Sequence, residues 1–213
     1  MERKKYLDLK YNNMKIFIVI NIFFIIALNN LHGNEGDGNK IAVLVNDNVI
    51  TNYDIEQRVK IFAILNQVQI TSENGGAIAN KVIDELIDNL LKIEKLEEHA
   101  IKVDNSDLNN YENQIFKSSK IGKEEFLELM RINNVNKKQF YDMLYNDIAW
   151  QILISRLYYR GTSISDAEIN DLIYKDPQLT YEIAKNIIME KQLALKSNKI
   201  LRDLRSEATI EFK

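Results

Sequence analysis

The chain has 213 residues, with 28 basic and 31 acidic side chains, a formal charge of −3, two histidines, one proline and no cysteine. That excludes disulfide and thiolate chemistry, and it leaves almost no ingredients for Cys/His metal sites or histidine-dependent nucleophilic pairs. A mildly acidic balance also argues against nucleic acid or an anionic lipid surface as the main partner, since both demand concentrated Lys and Arg.

The first residues read as an address label. Arg3, Lys4, Lys5, Lys10 and Lys15 precede the apolar run Ile16 to Leu28, broken only by Asn21. A basic head with an apolar core of roughly 7 to 15 residues has signal-peptide dimensions, whereas a membrane span needs about 20. Residues 1–33 are therefore expected to be a signal peptide cut after Gly33, with Met14 as an alternative start. An uncleaved N-terminal anchor is the competing reading. No cysteine follows the run, so a lipid-modified terminus is excluded. Removal of residues 1–33 leaves 23 basic and 29 acidic side chains, a formal charge of −6. Residues 34–39, all polar or glycine, read as a linker.

The stretch KIAVLVNDNVITNYDIEQRVKIFAILN, Lys40 to Asn66, carries the strongest local pattern. Ile41 to Val45 is an unbroken aliphatic run, Asn46 to Asn48 tolerates tight-turn dihedrals, Val49 and Ile50 resume the strand, and Thr51 stands at a helix N-cap. The helix it opens has Ile55, Val59, Phe62 and Leu65 at three- and four-residue spacing. A hairpin of this size is marginal alone and needs a third strand or a helix to cover it.

The rest of the chain reads as helical almost to its end. After a loop from Gln67 to Gly76, a helix from about Ala77 to His99 carries Ile78, Val82, Leu86, Leu90, Ile93 and Leu96 on one stripe. Ile83, Ile87 and Leu91 lie on a flanking stripe, so the helix is expected between partners. Ser106 or Asp104 can cap a polar helix to about Ser118, and Gly122 separates it from Lys123 to Ile132. Asn136 opens an aromatic-rich helix to about Arg160. Ser165 and Glu168 have capping-box spacing ahead of a short helix. Beyond Pro177, a helix from Gln178 to about Arg205 carries Leu179, Ile183, Ile187, Leu193, Leu201 and Leu204, a stripe that Glu190 interrupts. Ala208 to Phe212 alternates and includes β-branched residues, which reads as a terminal strand that can pair with the hairpin. The expected class is mainly α, with a small antiparallel sheet joining the two ends.

No catalytic constellation is visible. Glu94, Glu97 and Glu98 stand among Lys92 and Lys95 at the spacing of surface ion pairs, and Gly36 and Gly38 follow no strand that would make a phosphate loop. Neither a cofactor nor a metal is expected. Apolar surface is plentiful, however. Phe62, Leu65, Tyr141, Tyr145, Trp150, Tyr158 and Tyr159 are candidates to line a peptide-binding groove between helix layers, with ordinary core packing as the alternative for each.

In combination, VNDNVITNYDIEQR, VIDELIDNLLKIEKLEEHAI, VDNSDLNN, FLELMRINNVNKKQFYDMLYNDIAWQILISRL and ISDAEI resemble the N-terminal domain of the SurA-type periplasmic chaperones. The tail KILRDLRSEATIEFK is similar to the helix and strand with which that family completes its N-terminal module. The resemblance spans roughly Lys40 to Asp176 and Lys199 to Lys213. It implies residues 40–176 as a helical chaperone domain, with residues 177–213 completing the same module. It further implies an ATP-independent holdase in the periplasm, whose partners are unfolded outer-membrane or secreted polypeptides. In the family one or two parvulin-type isomerase domains usually follow the segment that here reads ISDAEINDLIYKD. Here a helix begins at once, so no isomerase domain and no enzymatic activity are expected. The alternative is a helical envelope protein that dimerises, or is anchored by its N-terminal segment.

Overall fold

The computed structural model describes residues 40–119 and 121–213; the expected signal segment and linker lie outside them. Two strands, β1 (Ile41–Val45) and β2 (Asn48–Thr51), form the hairpin. Asn46 turns it in the left-handed region at φ 51°, which its short polar side chain tolerates. A third strand, β3 (Ile210–Phe212), pairs antiparallel with the other side of β1, setting Val43 opposite Phe212 and Val45 opposite Ile210. The sheet order is β2-β1-β3, so the C-terminal end of the chain does close on the hairpin. The strand is shorter than the alternation from Ala208 suggests, because the preceding helix runs on to Glu207 and Ala208 caps it.

Seven α-helices stand between β2 and β3 among the described residues: α1 (Asn52–Asn66), α2 (Gly75–Glu97), α3 (Asn105–Ser118), α4 (Lys123–Ile132), α5 (Lys137–Tyr158), α6 (Asp166–Lys175) and α7 (Tyr181–Glu207). Several boundaries have local causes. The Thr51 hydroxyl accepts from the Asp54 amide while the Asp54 carboxylate accepts from the Thr51 amide, a reciprocal cap repeated at Ser165 and Glu168. The Asn136 side chain accepts from the Lys138 amide, and that of Thr180 from the Ile183 amide. Five residues separate α6 from α7, so no parvulin-type domain is inserted there.

The hairpin turn is fixed to two elements. The Asn46 and Asn48 amides donate to the two oxygens of Glu94 on α2, at 2.8 and 2.7 Å, and Asn46 exchanges hydrogen bonds with the Thr209 backbone beside β3. The surface-pair expectation for Glu94 is therefore corrected: its carboxylate holds the turn, while Lys92 reaches Asp147 on α5. Arg205 near the end of α7 bonds Asp84 and Asp88 on α2, which completes the closure of the two ends.

The buried interior is in four parts. Ile61, Ile64, Phe126, Met130, Phe140 and Leu144 join α1, α4 and α5, covered by Tyr111 and Phe116 of α3. Within it the rings of Phe116, Phe126 and Phe140 meet at 4.8 to 6.2 Å between centroids. Val43, Val45, Ile50, Ile87 and Leu91 bind the sheet to α2, with Leu201, Leu204 and Ile210 closing over them. Trp150, Leu153 and Ile154 connect α5 to Leu193 and Ile200 of α7. Ile169, Ala184 and Ile188 form a separate cluster between α6 and α7.

Two expected apolar rows differ from the buried ones. On α1 the deeply buried residues are Gln57, Ile61, Ala63 and Ile64, because the helix is wedged between the sheet and α2 on one side and α4 and α5 on the other. Gln57 is buried because its carbonyl accepts from the Asn136 amide at 2.7 Å and its amide donates to the Asn134 carbonyl, satisfying the α4–α5 turn. On α7 Ile183 and Ile187 are exposed, and the face one position on, Ala184 and Ile188, is the one that meets α6.

Candidate functional site

The seven candidate groove residues fall in different surroundings. Leu65 and Tyr141 pack against the phenylalanine-rich core. Tyr141 lies edge-on to Phe140 at 5.3 Å, and its hydroxyl donates to the buried Glu112 carboxylate, which also accepts from the Lys123 ammonium at 2.6 Å. Burial followed by the bond to Glu112 raises the Tyr141 pKa above its ordinary value. Phe62 is half-buried on α1, with the Lys81 ammonium 4.7 Å from its ring centroid. These three residues do not line the surface opening that Trp150 enters.

That opening lies between α5 and α7. It is a cleft of about 590 Å³ with Trp150, Ile152 and Ile154 on one wall and Glu190, Leu193 and Ser197 on the other. Its size falls within the roughly 300–1,000 Å³ of ligand clefts. Trp150 is the candidate residue built into it: 4 % exposed, with its indole N–H donating to the Ser197 hydroxyl at 2.8 Å. Tyr158 packs on the same cluster, with the Lys196 ammonium 6.0 Å from its ring centroid. The cleft is tied to α3, because Gln151, one of its lining residues, bonds the Tyr111 hydroxyl. Burial, and secondarily the Asp147 carboxylate, pushes the Tyr111 phenol up to about 12.

Helical spacing relates the remaining two candidates to this cleft. Tyr145, Ile148, Ile152 and Ser155 recur at three- and four-residue intervals, so they share the outward face of α5, and Tyr159 follows in the 3-10 turn Tyr159–Gly161 at its end. Ile148, Ile152 and Ser155 line the cleft, while Tyr145 and Tyr159, 42 % and 53 % exposed, stand beyond its ends. On α7, Ile183, Ile187, Glu190, Ala194, Ser197 and Leu201 likewise share one face. At Leu201 that face is packed against the sheet and α2. At Glu190, Ala194 and Ser197 it walls the cleft. At Ile183 and Ile187, 48 % and 41 % exposed, it is open surface.

A second cavity, of about 270 Å³, sits between β2, α1, α2 and α5 and is more polar, with Arg58, Asn89, Gln139 and Asn146 in its wall. Burial lowers the Arg58 pKa, opposed by Asp147 and then Glu85. Among the described residues, no group of three His, Cys, Asp or Glu side chains is arranged to hold a metal ion, and no helix is long and apolar enough to cross a membrane.

Residues 8–154 match the SurA-like N-terminal domain family. The chain belongs to that family. It is also 20 % identical over 205 residues to the chaperone SurA of Methylobacillus flagellatus, an alignment covering 89 % of this chain and 47 % of the relative. The chain thus spans about half the length of the curated relative it matches. The family match ends within α5, so it includes the Trp150 wall of the cleft and stops short of the α7 wall.

Of the ten residues that line the cleft, Trp150 alone was among the candidates drawn from sequence, and the polar ones missed are Glu190, Gln151, Ser155 and Ser197. Glu190 did leave a signal there, as the charge interrupting an apolar stripe. The three neutral polar residues left none, because which side of α5 and α7 they occupy depends on how the two helices cross.

Proposed function

We propose that this chain is an exported, ATP-independent holdase that shelters unfolded outer-membrane or secreted polypeptides in the α5–α7 cleft and carries no prolyl isomerase activity. Membership of the SurA-like N-terminal domain family supports the chaperone class. The observation that carries the mechanism is the α7 face that begins in the core at Leu201, walls the cleft, and continues uncovered to Ile187 and Ile183. An extended segment laid there gains about 25 cal/mol per Å² of apolar surface removed from water. Such burial is non-directional, which suits many clients and needs no nucleotide. In this reading residues 1–33 are the export signal, residues 34–39 a linker, and residues 40–176 and 177–213 one folded module.

The test is light scattering from a denatured outer-membrane barrel protein diluted into buffer with the purified chain. Scattering is expected to fall in proportion to added protein, and no suppression at several-fold molar excess rejects the proposal. A proline-limited refolding reaction run alongside is expected to keep its uncatalysed rate.

A second reading rests on the same uncovered residues: Ile183, Ile187 and Leu195 can instead join two copies through α7. Sedimentation equilibrium separates the two. A tight dimer dissociated by Ile187→Lys, with no effect of that variant on aggregation, favours the structural role.

A further inference from the structure

Glu190 is the ionisable residue in the wall of the α5–α7 cleft, whose other lining groups are apolar, amide or hydroxyl. It interrupts the α7 apolar face between Ile187 and Ala194, where an aliphatic side chain would extend the apolar wall without a break. Its own helix offers no cation three or four residues away: Asn186, Ile187, Leu193 and Ala194 hold those positions. Lys191, the next residue, acts on Glu168 of α6, on the opposite flank. Arg156 on α5 and Arg160 in the turn after it lie past the cleft lining, and among the described residues no ion pair joins either to Glu190. The carboxylate is thus a fixed negative charge at the edge of an apolar trough, and among the described residues no cation forms an ion pair with it.

We infer that Glu190 gives the cleft a charge preference: it selects extended polypeptide segments in which a Lys or Arg lies beside apolar residues, the aliphatic or aromatic groups lying against Ile148, Ile152 and Ala194 and the cation meeting Glu190. This rests on the holdase reading above and narrows its substrate class. A lysine or arginine side chain suits the position, because its methylene stem covers apolar wall while its charged end reaches the carboxylate at the rim. The pair is solvent-accessible, so its contribution is that of a surface ion pair, about threefold in affinity, and it weakens with added salt. Acidic segments with the same apolar content are disfavoured by a similar factor.

The experiment uses the full chain and three fluorescein-labelled, unstructured peptides of identical apolar sequence with Lys, Gln or Glu at one central position, read by anisotropy at low and high salt. The expected order is Lys tighter than Gln tighter than Glu, about threefold per step at low salt and compressed at high salt. In Glu190→Gln the order is expected to collapse onto the affinity of the Gln peptide, and in Glu190→Lys to reverse. Because the side chain is exposed and unpaired, both variants keep the parent melting temperature. Equal binding of the three peptides, or a Lys preference that survives Glu190→Gln, overturns the inference while leaving the holdase reading in place. Failure of every peptide to bind the parent chain overturns both.

Discussion

The phenylalanine-rich interior and the α6–α7 arm are built from the same kinds of residue but are closed to different degrees. Around Phe126 and Phe140 four helices converge, and each ring is surrounded by others. In the arm, Ile169 of α6 meets Ala184 and Ile188 of α7, and among the described helices α6 packs chiefly on α7. A helix presents one apolar stripe to each partner. With a single partner, the arm satisfies one flank of α7 and leaves Ile183 and Ile187 in water. The first region stores stability, whereas the second exposes the kind of surface a client-binding protein needs. Local opening should accordingly begin in the arm, where few buried contacts oppose it.

The largest expected effect is in the closed region. Phe126→Ala removes a fully buried ring from a three-ring cluster and should destabilise the chain by about 3–5 kcal/mol, read as the loss of urea midpoint at unchanged slope. Ile169→Ala sharpens the comparison. It should raise amide exchange across residues 166–190 while leaving α1, α4 and α5 protected, and uniform loss of protection would mean that the two regions unfold as one unit. Deleting residues 209–213 removes β3, its ladder with β1 and the Thr209 bonds to Asn46. A loss of about 2–4 kcal/mol is expected from those hydrogen bonds and the exposure of Ile210 and its neighbours, and an unchanged melting temperature would refute the closure of the two ends.

Smaller effects follow for single polar groups. The Tyr111 phenol is raised from its ordinary value near 10 to about 12. A raised pKa means the neutral form is favoured in the folded chain. Its contribution is therefore complete below about pH 10 and is lost as the pH climbs toward 12. Tyr111→Phe should change stability at pH 7 by about 1 kcal/mol or less and make the decline between pH 10 and 12 shallower, measured by chemical denaturation across that window. The least effect on stability is expected from Ile183→Lys with Ile187→Lys, within about 0.5 kcal/mol because both side chains are already exposed. The same pair should weaken aggregation suppression several-fold, and full retention of activity would move the client surface off α7.

Much of the fold was legible in the sequence, and for local reasons. The Thr51–Asp54 and Ser165–Glu168 caps lie within four residues of each other, and the Asn46 turn is a property of three adjacent residues, so their hydrogen bonds form wherever the helices end up. The family resemblance was legible for the same reason, because it is carried by short patterns in a fixed order. Spacing could not choose between neighbouring faces of a helix with several partners. It favoured Ile55, Val59 and Phe62 on α1, where the folded chain buries Gln57 because the α4–α5 turn offers it a donor and an acceptor from residues almost eighty positions away. The aromatic candidates divide likewise. Tyr141 and Trp150 lie on the same helix with similar surroundings in sequence, yet one meets Glu112 in the core and the other closes on Ser197 in the cleft.

The sequence by itself thus determined the order of elements, their caps, the mainly helical class and the pairing of the hairpin with the C-terminal strand, since these depend on contacts between near neighbours and on hydrophobic period. Only the tertiary structure decided that the face of α7 buried at Leu201 emerges as a cleft wall at Ala194 and as open surface at Ile183. The reason is that an apolar stripe records how much surface a helix can bury, while the length of its partner decides how much of it is buried.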